Sequence, residues 1–211
     1  MDWIRIREAL RERNSIHLLD ALGGLAHYRD FLLVRLPKHS VGAELGVYRG
    51  DLSRRLLSIV RPKLLYLIDP WRFVPDIEYS RAVYGGPVGD SQVRMDRMYA
   101  NVCRRFQHET KSGVVTIHRK TSLEGSQSIP DRSLDWVYID ANHKYSFVLD
   151  DLETYKSKVR VGGWIAGDNY AEPDGWWEDG VTRAVDEFVA RGLAEKVLTA
   201  RHQFLLRIPD D

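Results

Sequence analysis

At 211 residues the chain is long enough for one domain around one continuous core and too short for two full catalytic domains. With 44% hydrophobic and 29% charged residues it sits near the soluble globular average, which excludes a disordered or fibrous architecture. Thirty-one basic against thirty acidic side chains leave a formal +1, so no global field draws nucleic acid or an anionic membrane surface.

Cys103 is the single cysteine, which rules out an intrachain disulfide and a cysteine-rich zinc site. The opening stretch carries Asp2, Arg5, Arg7 and Glu8 without an apolar leader block, and no run approaches the ~20 apolar residues that span a bilayer. A soluble, cytoplasmic protein is expected.

Residues 1–38 read as an N-terminal helical segment of two or three amphipathic helices, with Ile4, Ile6, Leu10, Leu18, Leu19 and Leu22 as apolar positions. Such a segment pads a sheet edge or forms a homodimer contact. Beyond it, short apolar runs alternate with helix-length stretches. Val41 to Leu45, Leu64 to Asp69, Val114 to His118, Leu134 to Asp140 and Trp164 to Asp168 are strand-length and mostly unalternated, as strands buried on both faces are. Asp51 to Val60 and Tyr145 to Val159 between them have helical apolar spacing.

Trp71 to Gly89 is long and irregular, with Pro75, Gly85, Gly86, Pro87 and Gly89 beside Tyr79 and Tyr84, and reads as a lid or binding loop. After Asp168 come a polar, aromatic loop, a helix from about Val181 to Ala190, and two closing strands, Glu195 to Thr199 and Gln203 to Ile208, paired antiparallel. The alternation predicts an α/β fold: a mostly parallel sheet with helices on both faces and the last strand antiparallel. Ligands then bind beyond the carboxyl ends of the strands.

The strand ends carry the chemistry. Glu44-Leu45-Gly46-Val47-Tyr48-Arg49-Gly50 runs directly into a helix, where glycines let a ligand approach the backbone. It lacks the P-loop lysine and the G-x-G-x-x-G spacing, which disfavours a nucleotide triphosphatase and a nicotinamide dehydrogenase. Asp69 ends the second strand nineteen residues after Gly50, placed to accept hydrogen bonds from both ribose hydroxyls of a nucleoside. Asp140 ends one later strand, and Asp168 with Asn169 ends another. If these strands are neighbours, three oxygen-bearing side chains converge, a set suited to a hard divalent cation such as Mg2+.

These landmarks resemble the class I S-adenosylmethionine-dependent methyltransferases, and within them the small metal-dependent O-methyltransferases, over about residues 41–170. The resemblance implies a Rossmann-like sheet of seven strands over residues 39–211 with a lid region over about 71–106. It implies a cofactor site of Glu44, Gly46, Tyr48, Gly50, Asp69, Trp71, Ser122 and Asp140, with Asp69 on the ribose and Ser122 at the adenine. Asp140, Asp168 and Asn169 would be the Mg2+ ligands.

Unlike the catechol enzyme of that group, which has a lysine three residues after the first metal aspartate, this chain has His143 there. Asp140-Ala141-Asn142-His143-Lys144-Tyr145 is similar instead to the Asp-x-x-His-x-Tyr signature of bacterial enzymes acting on sugars or natural products. His143 is then the candidate base, since imidazole exchanges protons near neutral pH.

Tyr79, Tyr84, Tyr170, Trp176 and Trp177, flanked by Glu172 and Asp174, fit a polyhydroxylated acceptor: rings cover its C–H faces and acids accept its hydroxyl protons. A saccharide hydroxyl, on a mannoside or another precursor of a methylated polysaccharide, is the expected acceptor. Two other classes stay open at this point. One is a metal-independent O-methyltransferase for a phenolic or macrolide product; the other is a non-catalytic nucleoside-binding module. The basic cluster Arg94, Arg97, Arg104 and Arg105 reads as the solvated face of a lid helix rather than a nucleic-acid contact.

Overall fold

The computed structural model describes residues 28–76, 79–80, 82, 84, 89–172 and 176–210. The expected helices carrying Ile4 to Leu22 lie outside the described residues, as do Gly85, Gly86, Pro87 and Asp174. In chain order the elements are α1 (Asp30–Leu33), β1 (Val41–Leu45), α2 (Asp51–Ile59), β2 (Leu64–Asp69), α3 (Gln92–Arg105) and α4 (Gln107–Lys111). There follow β3 (Val115–Arg119), α5 (Ser122–Ser126), β4 (Leu134–Ile139), α6 (Tyr145–Lys158), β5 (Val159–Gly167), α7 (Gly180–Ala190), β6 (Glu195–Ala200) and β7 (Gln203–Arg207).

The strands form one seven-stranded sheet in the order β3-β2-β1-β4-β5-β7-β6. Pairings from β3 through β5 are parallel, and β7 runs antiparallel to both β5 and β6. The strand order reverses between β1 and β4, which is where an open α/β sheet leaves a crevice for ligand.

Alternate residues of the central strands feed two cores. Ala43, Leu45, Val137, Ile139 and Ile165 pack with Val148, Leu152 and Tyr155 of α6 and Val181, Val185 and Phe188 of α7. Leu65, Leu67, Trp136, Tyr138 and Ala166 pack on the other face with Leu52 and Leu56 of α2 and Met95, Met98 and Val102 of α3. Burial on both faces is why these runs lack polar alternation. Trp136 fits because its cross-strand partner is Gly42, where a Cβ would lie 2.1 Å from the indole. Its Nε1 donates to Ser40 Oγ at 2.8 Å.

Most expected ends shift by one residue at most, and two regions differ more. β5 begins at Val159, five residues before the expected Trp164, because Val159 pairs with Leu134 across an irregularity before the regular register resumes at Trp136↔Trp164. Within the interval expected as a lid, α3 buries Met95, Met98 and Val102 in the core against the sheet. The arginines of α3 lie on its outer side: Arg94 pairs with Asp90 at 3.1 Å and Arg105 with Asp51 at 2.8 Å.

Helix α6 buries a carboxyl. Asp151 is 5% exposed and accepts the Ser122 hydroxyl, while the Tyr155 hydroxyl donates to the Ser122 carbonyl at 2.8 Å. Burial pushes the Asp151 carboxyl up to about 7, the Ser122 bond only partly opposing it. An unfolded aspartate releases its proton near pH 4, so between about pH 4 and 7 the folded state binds more protons and loses stability as pH rises. Asp151→Asn keeps an acceptor for Ser122 but cannot ionise. It should gain on the wild type as pH rises, by at most about 4 kcal/mol near pH 8, measured by urea unfolding at about pH 5 and pH 8. An equal difference at both pH values would contradict this assignment.

Candidate active site at the carboxyl edge of the sheet

Beyond β1 the chain turns at Gly46, with φ +85°, where a Cβ would lie 2.0 Å from the Asp140 carbonyl oxygen. The glycine is therefore required by the close approach of the β4 end, before any ligand is considered. Gly50, with φ +78°, caps α2 against the Phe106 ring, which a Cβ would meet at 2.5 Å. Between them Tyr48 is left-handed, with φ 53°, and Trp71 and Asn169 are left-handed at 39° and 65°. Three residues expected in the site thus hold conformations costing of order 1 kcal/mol each, among ten such non-glycine positions in the described residues.

Asp69 holds two of them. Its Oδ2 accepts from Val47 N and Tyr48 N, each at 2.9 Å, and its Oδ1 accepts from Trp71 N at 2.7 Å. Trp71 Nε1 returns a bond to the Tyr48 carbonyl at 2.9 Å. The Tyr84 hydroxyl also donates to Asp69 Oδ2 at 2.7 Å, and its ring lies 6.2 Å from that of Tyr48. Tyr84, expected beside the acceptor, is set on Asp69, the carboxylate expected to take ribose hydroxyls. Burial raises the Asp69 carboxyl, and the N–H donors from Tyr48, Trp71 and Val47 oppose that rise.

Glu44 is fully buried on β1 with neither carboxyl oxygen hydrogen-bonded. Burial pushes it well above the usual carboxylate range. The buried Ser53 hydroxyl opposes that rise, and since buried polar atoms are normally paired, the carboxyl leaves room for a ligand partner as well. Ser122 is less open: its hydroxyl is committed to Asp151.

On the other side of the Gly46 turn, β4 and β5 bring Asp140, Asp168 and Asn169 together as expected. The sequence reading missed what lies between them. Arg29 Nη2 is 2.9 Å from Asp140 Oδ2 and 2.6 Å from Asp168 Oδ2, and Arg29 Nε is 2.7 Å from the latter oxygen. The Tyr28 hydroxyl donates to the same Asp168 oxygen at 2.7 Å. Burial raises the Asp168 carboxyl, as does repulsion from Asp140, with Arg29 and Tyr28 opposing both. The signal available in sequence was indirect: two acids at neighbouring buried strand ends require a counter-charge.

Asp168 Oδ1 and Asn169 Oδ1 are buried without a hydrogen-bond partner. The Asn169 amide nitrogen faces the Glu172 carboxylate, which can only accept, so its oxygen is turned to the site. His143 Nε2 is likewise buried and unbonded, 3.5 Å from Asp140 Oδ1.

An aromatic wall continues from the imidazole. His143 meets Trp177 edge-on at 4.6 Å, Trp177 meets Trp176 at 5.8 Å, and Trp176 meets Tyr79 at 5.4 Å. Asn142 donates to the Tyr79 hydroxyl at 3.1 Å. A cleft of about 370 Å³ opens beside the two tryptophans, lined also by Lys144, Tyr145 and Arg183; His143 and the strand-end acids do not line it. Tyr170 does not join it. Its hydroxyl donates to Asp186 at 2.9 Å and its ring faces Phe204, because the left-handed Asn169 turns the chain toward α7 and β7.

Among the described residues no helix is long and apolar enough to cross a membrane. No curated protein sequence matches the chain significantly. Solved structures match its fold. The O-methyltransferase NovP is 19% identical with a TM-score of 0.59, covering 87% of this chain and 76% of its own. The O-methyltransferase TomG from Streptomyces achromogenes, involved in tomaymycin synthesis and solved with S-adenosylmethionine, is 17% identical with a TM-score of 0.57, covering 87% and 79%. The N-methyltransferase NodS from Bradyrhizobium japonicum WM9 is 15% identical with a TM-score of 0.55, covering 86% and 95%. The sequence itself matches the Methyltransferase domain family over residues 43–170, more than half of the chain. The chain belongs to this methyltransferase family, and it is an S-adenosylmethionine-dependent methyltransferase.

Proposed function

We propose that the enzyme moves the methyl group of S-adenosylmethionine to a hydroxyl of a small polyhydroxylated acceptor, a saccharide or glycoside. The observation that carries this reading is the unbonded His143 Nε2, buried between the strand-end acids and the aromatic wall. The names of NovP and TomG as O-methyltransferases support oxygen as the acceptor atom.

The Mg2+ implied by the family resemblance would need Asp140, Asp168 and Asn169. One oxygen of each carboxylate is engaged by Arg29, that of Asp168 by Tyr28 as well. As folded, the set does not fit a divalent cation, and the reaction is derived from the chain's own groups.

The Gly46 turn and Asp69 would hold the cofactor, Asp69 taking its ribose hydroxyls in place of the Tyr84 hydroxyl. The acceptor packs a C–H face on Trp177 and Trp176 and donates hydroxyl protons to Asp168 Oδ1 and Asn169 Oδ1, satisfying both buried acceptors. The reacting hydroxyl presents its proton to His143 Nε2. As the oxygen forms its bond to the methyl carbon, the carbon–sulfur bond breaks and the electron pair stays on sulfur. The proton passes to the imidazole, whose new charge faces Asp140 Oδ1. The products are the methyl ether and S-adenosylhomocysteine. The sulfonium methyl is already electrophilic, so positioning and proton removal are what the protein must supply.

The test uses deuteromethyl-labelled cofactor and separate pools of glycosides, phenols and amines, read by mass spectrometry. Label on a glycoside hydroxyl is expected; label confined to phenols or amines would overturn the acceptor class. His143→Ala should lower turnover about 10²–10⁴-fold while leaving affinity for S-adenosylhomocysteine within about twofold. Wild-type turnover in that variant would remove His143 as the base.

A further inference from the structure

We propose that Arg29 is the resident cation of the Asp140–Asp168 pair, and that methyl transfer in this enzyme proceeds without a divalent metal. This deepens the methyl-transfer reading of the same site and rests on it.

The guanidinium is placed where the pair needs charge. It spans the two carboxylates, at 2.9 Å from Asp140 and 2.6 Å from Asp168, and the second of these side chains is almost wholly buried. A planar, permanently charged fork suits two carboxylates on adjacent strands, and it reaches both here. With two negative charges and one positive charge already in contact, a divalent ion entering the pair meets a like charge held against its own ligands.

The placement is also built. On one side of Arg29 the Tyr28 carbonyl accepts from Gln203 Nε2 at 3.0 Å, and Gln203 is itself 1% exposed at the start of β7. Gln203 Oε1 in turn accepts from the fully buried Tyr138 hydroxyl at 3.2 Å. On the other side Asp30 is 5% exposed and takes a two-point contact from Arg55 of α2. Residues before and after Arg29 are thus anchored to different elements, leaving its side chain directed at the strand ends. Arg29 is a positioning residue: it fixes Asp140 opposite His143 and turns Asp168 so that its free oxygen faces the acceptor.

The experiment titrates Mn2+ into the full-length protein and follows free ion by electron paramagnetic resonance. In the same samples, methyl transfer is measured with and without chelator, and S-adenosylhomocysteine affinity by calorimetry. The wild type should take up no Mn2+ and keep its turnover within about twofold under chelation. Arg29→Gln should retain cofactor affinity and lose at least about tenfold in turnover. It should also acquire Mn2+ binding that Asp168→Asn abolishes, and Arg29→Lys should restore part of the turnover.

Stoichiometric Mn2+ uptake by the wild type that is lost in Asp168→Asn would overturn the proposal, as would a folded Arg29→Gln protein with unchanged turnover. Should Arg29→Gln fail to fold, the wild-type titration decides alone. Failure of methyl transfer with every acceptor would strike the functional reading, and the Mn2+ titrations would still report on Arg29.

Discussion

Four carboxyls gathered at the carboxyl ends of neighbouring strands set the terms for the rest of this structure. Glu44, Asp69, Asp140 and Asp168 come from β1, β2 and the ends of β4 and β5, and three of them are at most 2% exposed. Buried charge is tolerated only when it is paired, hydrogen-bonded or neutralised by a proton. Each acid meets that requirement differently. Asp69 collects backbone N–H groups, Asp140 and Asp168 share a guanidinium, and Glu44 is pushed toward its protonated form.

Those compensations organise the surrounding chain. The bonds to Asp69 hold Tyr48 and Trp71 in left-handed conformations and so shape the turn after β1. The Arg29 contacts hold Tyr28 and Arg29 across the ends of β4 and β5, against Asp140 and Asp168. What remains unpaired is informative for the same reason. Asp168 Oδ1, Asn169 Oδ1, His143 Nε2 and the Glu44 oxygens sit in a structure that satisfies its other acids closely. They fall on the two sides of the Gly46 turn, one suited to a cofactor and one to an acceptor.

Much of this was legible in the sequence because parallel strands buried on both faces leave continuous apolar runs. Val41 to Leu45 and Leu64 to Asp69 were read with the observed ends, and the acids stood out as the polar residues closing such runs. β5 reaches back to Val159, beyond the apolar run from Trp164, because the strand passes through Gly162 and Gly163 with a register shift. Arg29 was invisible because its role depends on contacts across 111 and 139 positions, and nothing local distinguishes it from other arginines of an amphipathic segment. Tyr84 and Tyr170 are expected at the acceptor from their places in the lid stretch and just after Asn169. Direction decides their place: one hydroxyl meets Asp69 and the other Asp186.

The central claim is that the Asp69 turn is a nucleoside site facing a separate acceptor site built on His143. The most direct measurement is calorimetric titration of S-adenosylhomocysteine into the wild type and into Asp69→Ala. The account predicts one-to-one binding by the wild type and a loss of at least about tenfold in affinity in the variant, since a charge-assisted pair of ribose hydrogen bonds is removed. Equal affinity in the two proteins would contradict it.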